Sequence, residues 1–191
     1  ELAKKPGGGV AKKAANAEAI KGAAKTITAQ YEFPFLAHAA MEPLNCTCSV
    51  TPGHCELWVG TQDANEAQRE VAKLLGIPPE QVRVNVTLAG GAFGRRLAHD
   101  YIIEAVEMSR AIGKPVQAIW TREDDIRHDM YQPGQVNRIT AGLNDRGLPV
   151  AWRHEVADFN LSMFGPFDPA FKPAADGDPW GGYDTPYSFA A

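Results

Sequence analysis

The sequence predicts an α+β fold whose centre is an α/β unit of βαβαβ type, flanked by β-hairpins. Three observations carry this. Strand-like and helix-like runs alternate from Glu56 to Trp120. Both helix-like runs stop at a glycine, Gly76 and Gly113, each with a proline two residues on. Two turn signals, Thr51-Pro52-Gly53-His54 and Asn144-Asp145-Arg146-Gly147, separate strand-like runs.

The chain has 191 residues, enough for one domain or two small ones. Hydrophobic residues make up 45% and charged residues 22%, an ordinary balance for a globular chain. A net charge of −4 gives no global electrostatic case for nucleic acid, so no nucleic-acid partner is expected. No apolar run approaches the roughly 18 residues needed to span a bilayer. The first residue is Glu1 and the last are Phe189-Ala190-Ala191, which read as cuts in a longer protein. Residues 1–25 are expected to be a connector, 26–158 the domain, and 159–191 an irregular connecting segment.

In order, Asn16 to Ala24 could form a short helix. Thr26 to Phe33 has β-branched and aromatic residues near period two and reads as a strand. His38 and Glu42 lie four apart and would share a face on a helix, which Pro43 would keep short. They are either an acid–base pair or two satisfied structural groups, and the second reading is favoured. Cys46, Cys48 and Cys55, with His54, fall in the first hairpin. They read as small core residues there, because their spacing is not a usual zinc pattern.

Asp63 or Ala64 starts the first helix, with Ala67, Val71, Leu74 and Leu75 on one face. Val82, Val84, Val86 and Leu88 alternate with polar residues and should line the buried face of a strand. The second helix runs from about Ala98 to Ile112, with Ile102, Ile103, Val106 and Ile112 as core. Val116 to Trp120 reads as another buried strand. Thr121 to Asp129 is dense in charge and reads as a solvated helix start with capping acids. Gln135–Leu143 and Leu148–Asp158 form the second hairpin.

Between the strand ending at Leu88 and the second helix lies Ala89-Gly90-Gly91-Ala92-Phe93-Gly94-Arg95-Arg96. A glycine-rich turn from strand to helix lets backbone N–H groups approach an anion. Arg95 and Arg96 add full charge, and they either bind phosphate or brace the loop from behind. The turn is neither G-x-G-x-x-G nor a P-loop, and no G-x-S-x-G or H-E-x-x-H occurs. If the strands are parallel, Gln62 and this turn lie on one sheet edge, where open α/β sheets bind ligands. On these residues alone, a non-redox phosphate- or nucleotide-binding module and a non-catalytic interaction domain stand as rivals to an enzyme.

Four segments occur in an order that resembles the molybdenum-binding large subunit of the xanthine oxidase family. They are Ala37-His38-Ala39-Ala40-Met41-Glu42-Pro43-Leu44-Asn45-Cys46, Trp58-Val59-Gly60-Thr61-Gln62, Gly90-Gly91-Ala92-Phe93-Gly94-Arg95-Arg96 and Thr121-Arg122-Glu123-Asp124-Asp125. Within that family the likeness is to β subunits of isoquinoline 1-oxidoreductase type and to related bacterial aldehyde dehydrogenases.

The resemblance implies a molybdopterin cofactor carrying molybdenum, as the cytosine dinucleotide, with the metal held by the cofactor and not by protein side chains. It implies hydroxylation of an N-heterocycle or aldehyde with water as oxygen source. Electrons would leave through a [2Fe-2S] iron–sulfur small subunit, and the rest of the same large subunit would complete the pocket. Gln62 matches the family glutamine that hydrogen-bonds an oxygen ligand of the metal. Gly90, Gly91, Ala92, Phe93, Gly94, Arg95 and Arg96 match the loop over the cofactor, with the N–H groups of Gly94 and Arg95 as candidate contacts. The family's catalytic glutamate is expected outside this chain, and the fragment alone is expected to be inactive. Relatives of this type are often periplasmic or membrane-associated. Ala92 stands where many relatives have a third glycine, which requires a negative φ there. Gln132 stands where relatives often have arginine, so that position offers no cation.

Overall fold

The computed structural model describes residues 17–158. The connector expected before residue 17 and the irregular segment expected from 159 on lie outside the described residues. The chain divides into two compact units. One takes the chain up to Leu36 and again from Gln132, and the other is Ala37–Tyr131.

In the first unit, β1 (Lys25–Phe33), β6 (Gln135–Leu143) and β7 (Pro149–Asp158) form an antiparallel sheet in the order β1-β6-β7. The predicted second hairpin is present. Asn144 closes its turn, because Oδ1 accepts from the N–H groups of Arg146 and Leu148, both at 3.0 Å. The short helix expected near Asn16 is a 3-10 turn, Ala17–Gly22.

The second unit holds the rest of the predicted pattern. Its strands are β2 (Asn45–Thr51), β3 (His54–Val59), β4 (Val82–Val86) and β5 (Val116–Ile119). Its helices are α1 (Ala64–Leu75), α2 (Asp100–Ile112) and α3 (Arg122–Arg127). Asp63 caps α1 by accepting from Glu66 N–H at 2.9 Å, and Gly76 ends it in the left-handed region. The sheet order is β4-β3-β2-β5. β3 and β4 are parallel across the α1 crossover, as the βαβ reading requires. β5 does not pair with either of them. It pairs antiparallel with β2, itself antiparallel to β3. The sheet is therefore mixed, with β2 alone reversed, and the C-terminal ends of β3, β4 and β5 share one edge.

One face of this sheet is the core. Cys46, Cys48, Cys55, Leu57, Val59 and Val82 pack there against Ala67, Val71 and Ala72 of α1 and Tyr101, Ile102, Ala105 and Val106 of α2. The three cysteines are thus buried free thiols that fill space between sheet and helices. Burial pushes the Cys46 thiol up to about 12.

Four sequence expectations are corrected. The segment holding His38 and Glu42 is not helical. Ala39 takes φ +40 there and Pro43 follows, so the backbone turns instead. β4 stops at Val86, and beyond the helices' cover Val86 is 59% and Leu88 99% exposed. Ile112 is 61% exposed at the end of α2. β5 is an edge strand and only half-buried.

Iodoacetamide applied to the native protein should leave Cys46, Cys48 and Cys55 unmodified, with all three alkylated after denaturation. Peptide mapping by mass spectrometry reads the result. Labelling of native Cys46 would mean that this sheet face is not packed.

Candidate cofactor site

The shared edge of β3, β4 and β5 also receives the chain entering β2. The four segments singled out in the sequence therefore meet in one place. Backbone ladders continue past the strand ends to hold them: Thr87 N–H donates to Val59 O at 3.1 Å, and Trp120 N–H to Leu44 O at 2.9 Å.

After Leu88 the chain crosses in front of the segment leading into β2. Glu42 and Gly90 exchange two bonds. Glu42 N–H donates to Gly90 O at 3.1 Å, and Gly90 N–H donates to Glu42 Oε2 at 2.5 Å. The approach is so close that a Cβ on Gly90 would lie 2.6 Å from Glu42 Cβ, which is why glycine stands there. The loop then turns through Phe93 at φ +53 and Gly94 at φ +98. A left-handed backbone is costly for a phenylalanine, on the order of 1–2 kcal/mol. Strain of this kind gathers at functional sites. Its ring is 67% exposed. Ala92 is absent from the positive-φ residues, so its side chain fits without strain.

Gln62 sits just past β3, with its backbone N–H donating to Arg96 O at 3.2 Å. Its side-chain Oε1 accepts from Gly94 N–H at 3.0 Å. A backbone N–H can only donate, so the oxygen of the amide must face it, and the NH₂ is left to donate elsewhere. The Gly94 and Arg95 N–H groups, expected as cofactor contacts, are both engaged within the protein, the latter with Ala92 O at 2.9 Å. Among the described residues, the N–H groups of Gly91, Ala92 and Phe93 have no protein acceptor. They form a row of donors on the exposed loop beside the Gln62 amide.

Of the two readings left open for the arginines, the structure takes bracing. Arg95 is 2% and Arg96 1% exposed. Arg95 makes a bidentate pair with Asp100 at 2.9 and 2.7 Å, lies 3.1 Å by Nε from Asp129 Oδ1, and stacks 5.5 Å from the Trp120 ring centre. Arg96 donates from Nε to Gly91 O, from Nη1 to Gly60 O and from Nη2 to Glu42 O, at 2.9, 3.0 and 3.1 Å. Nη2 also pairs with Glu42 Oε2 at 3.2 Å. Tyr101 Oη donates to Gly60 O as well, at 2.9 Å.

His38 and Glu42 do not pair with each other. His38 Nδ1 lies 2.9 Å from Asp129 Oδ1, and its backbone N–H donates to Asp129 Oδ2 at 2.5 Å. Partial burial pushes the Glu42 carboxyl up. The Gly90 N–H, the Asn45 amide and the Arg96 charge outweigh that and hold it below the usual carboxylate range. The Thr121–Asp129 stretch is not simply solvated. Thr121 and Asp124 form a capping box, but Asp125 and Asp129 are buried. Arg122 ties α3 to Asp125 and to the carbonyls of Ala40 and Met41. Asp100 and Asp129 were not recognised in sequence as partners of the arginine pair. The only available hint was that two adjacent arginines behind a packed turn need acidic partners.

The chain belongs to the molybdopterin cofactor-binding domain family, which matches residues 4–187. It is 34% identical over 155 residues to the β subunit of isoquinoline 1-oxidoreductase from Brevundimonas diminuta, covering 78% of this chain and 20% of that protein. It is 30% identical over 146 residues to the molybdenum-binding subunit PaoC of an aldehyde oxidoreductase from Escherichia coli K12, covering 75% and 20%. Quinoline 2-oxidoreductase from Pseudomonas putida 86 shares the fold, with a TM-score of 0.62 at 23% identity over 74% of this chain and 18% of that one. The chain therefore spans about a fifth of the length of the relatives it matches.

Gly90→Ala should cost about 1–3 kcal/mol by overpacking against Glu42. The midpoint of urea unfolding measures this, and an unchanged midpoint would show that the loop can move away from Glu42.

Proposed function

We propose that this chain is the part of a molybdenum hydroxylase large subunit that covers its cofactor. The subunit would oxidise an N-heterocycle or an aldehyde with water as the oxygen source. The observation that carries this reading is the fixed Gln62 amide, whose NH₂ is turned outward beside the donor row of Gly91, Ala92 and Phe93.

The donor set fits the group. Molybdopterin is rich in acceptor oxygens, and a row of neutral N–H donors on a glycine loop suits such a ligand. The bound cofactor supplies two-electron redox chemistry at its metal. This chain's own residues would do the rest. Gln62 would donate to an oxygen ligand of the metal, Gly91 to Phe93 would hold the cofactor by their N–H groups, and the Phe93 ring would wall the site against water. The cofactor is proposed to be the cytosine dinucleotide form. A [2Fe-2S] small subunit would take the electrons. The remainder of the large subunit would supply the catalytic base and cover Leu88 and Met41, which are 99% and 90% exposed here.

The test uses the full-length subunit purified with its natural partners. Elemental analysis should find molybdenum, and acid hydrolysis should release CMP. Gln62→Ala should keep the metal while turnover of an aldehyde or N-heterocycle falls by about ten- to a hundredfold. Absence of molybdenum would favour a non-redox nucleotide-binding module. Normal metal with normal turnover in Gln62→Ala would remove that residue from the mechanism.

A further inference from the structure

Arg96 is a buried cation whose three nitrogens each serve a different stretch of chain: Gly91 in the loop, Gly60 at the end of β3 and Glu42 before β2. Its own carbonyl receives two more bonds, from Gln62 N–H at 3.2 Å and Thr61 Oγ1 at 3.1 Å. Glu42 is the matching anion, and both of its oxygens accept. Oε1 takes the Asn45 amide at 2.8 Å, and Oε2 takes Gly90 N–H and Arg96 Nη2. Gln62 in turn is tied to the loop through Gly94 N–H.

We infer that Arg96 and Glu42 are positioning residues that act as one clamp, setting the outward angle of the Gln62 amide and the height of the Gly91–Phe93 donor row. Neither touches the cofactor, and neither is a phosphate ligand. The chemistry of the pair is specific. A lysine ammonium is a point donor and cannot reach three carbonyls that surround a planar fork. A glutamine at 42 must turn its NH₂ toward a donor, whichever way it rotates, because both carboxylate oxygens are already accepting. Each conservative change therefore loosens the loop while leaving the apolar core between sheet and helices untouched.

This inference rests on the reading of Gln62 given above, and its test separates the two. Arg96→Lys and Glu42→Gln are made in the full-length enzyme, alone and combined with Gln62→Ala. Hydrogen exchange of the peptide covering Ala89–Leu97 should speed up by about tenfold in both variants, with α1 and α2 unchanged. The electron paramagnetic resonance signal of the reduced metal should shift in Arg96→Lys as it does in Gln62→Ala. Adding Arg96→Lys to Gln62→Ala should shift it no further, because the clamp acts through that amide. Unchanged exchange in the loop of both variants would overturn the clamp. Faster exchange with an unchanged metal signal would reduce it to a packing element. If the purified enzyme contains no molybdenum, the cofactor reading fails, and the exchange measurement still decides whether the clamp exists.

Discussion

A guanidinium taken out of water must find acceptors for its N–H groups, or the fold cannot keep it buried. Arg96 meets that demand with carbonyls from Glu42, Gly60 and Gly91. The same bonds settle where the glycine loop can lie, because the carbonyls that satisfy the charge belong to the segments that make the site. Desolvating the ion is costly, and only complete satisfaction offsets it. The geometry is therefore narrow: a loop displaced by an ångström leaves a buried donor without a partner.

Arg95 plays a different part behind the same loop. Its fork is taken by Asp100 at the start of α2, its Nε faces Asp129, and its plane lies on Trp120. Asp129 also holds His38, so one carboxylate joins the chain before β2 to the chain after α3. The adjacent arginines thus point into two separate networks. What they leave on the outside is uncharged: an amide, three backbone N–H groups and an aromatic ring. Such a surface binds by shape and hydrogen bonding, with charge kept one layer back.

Much of the fold was legible because local signals agreed. Asp63 and Gly76 bound α1 as capping residues should, and Asn144 closes its hairpin through its own side chain. The parallel pairing of β3 and β4 follows from a helix-length crossover between two strands. The reversal of β2 between β3 and β5 was not legible, since nothing in a strand's alternation names its neighbour. Exposure of Leu88 was missed for a related reason: alternation marks an apolar face, and no pattern within the strand says where the covering helix ends. At the site, sequence marked Gln62, the glycines and Phe93 through the family pattern. It could not orient the arginines. A surface cation and a buried one look alike until their acceptors, here 36 and 54 residues away in sequence, are located.

The mixed sheet has a consequence for how the site comes into being. The β2–β3 hairpin joins residues close in sequence, and α1 is bounded by its own caps, so both can form from local interactions. The parallel β3–β4 ladder joins residues 27 apart, as in Cys55 with Val82, and closes only after α1 has folded back. The glycine loop begins where that ladder ends. Its partners are all on the far side of a long chain closure, so the donor row is assembled late and as a unit. A nascent chain therefore presents no partial site, and a cofactor meets either the finished loop or none.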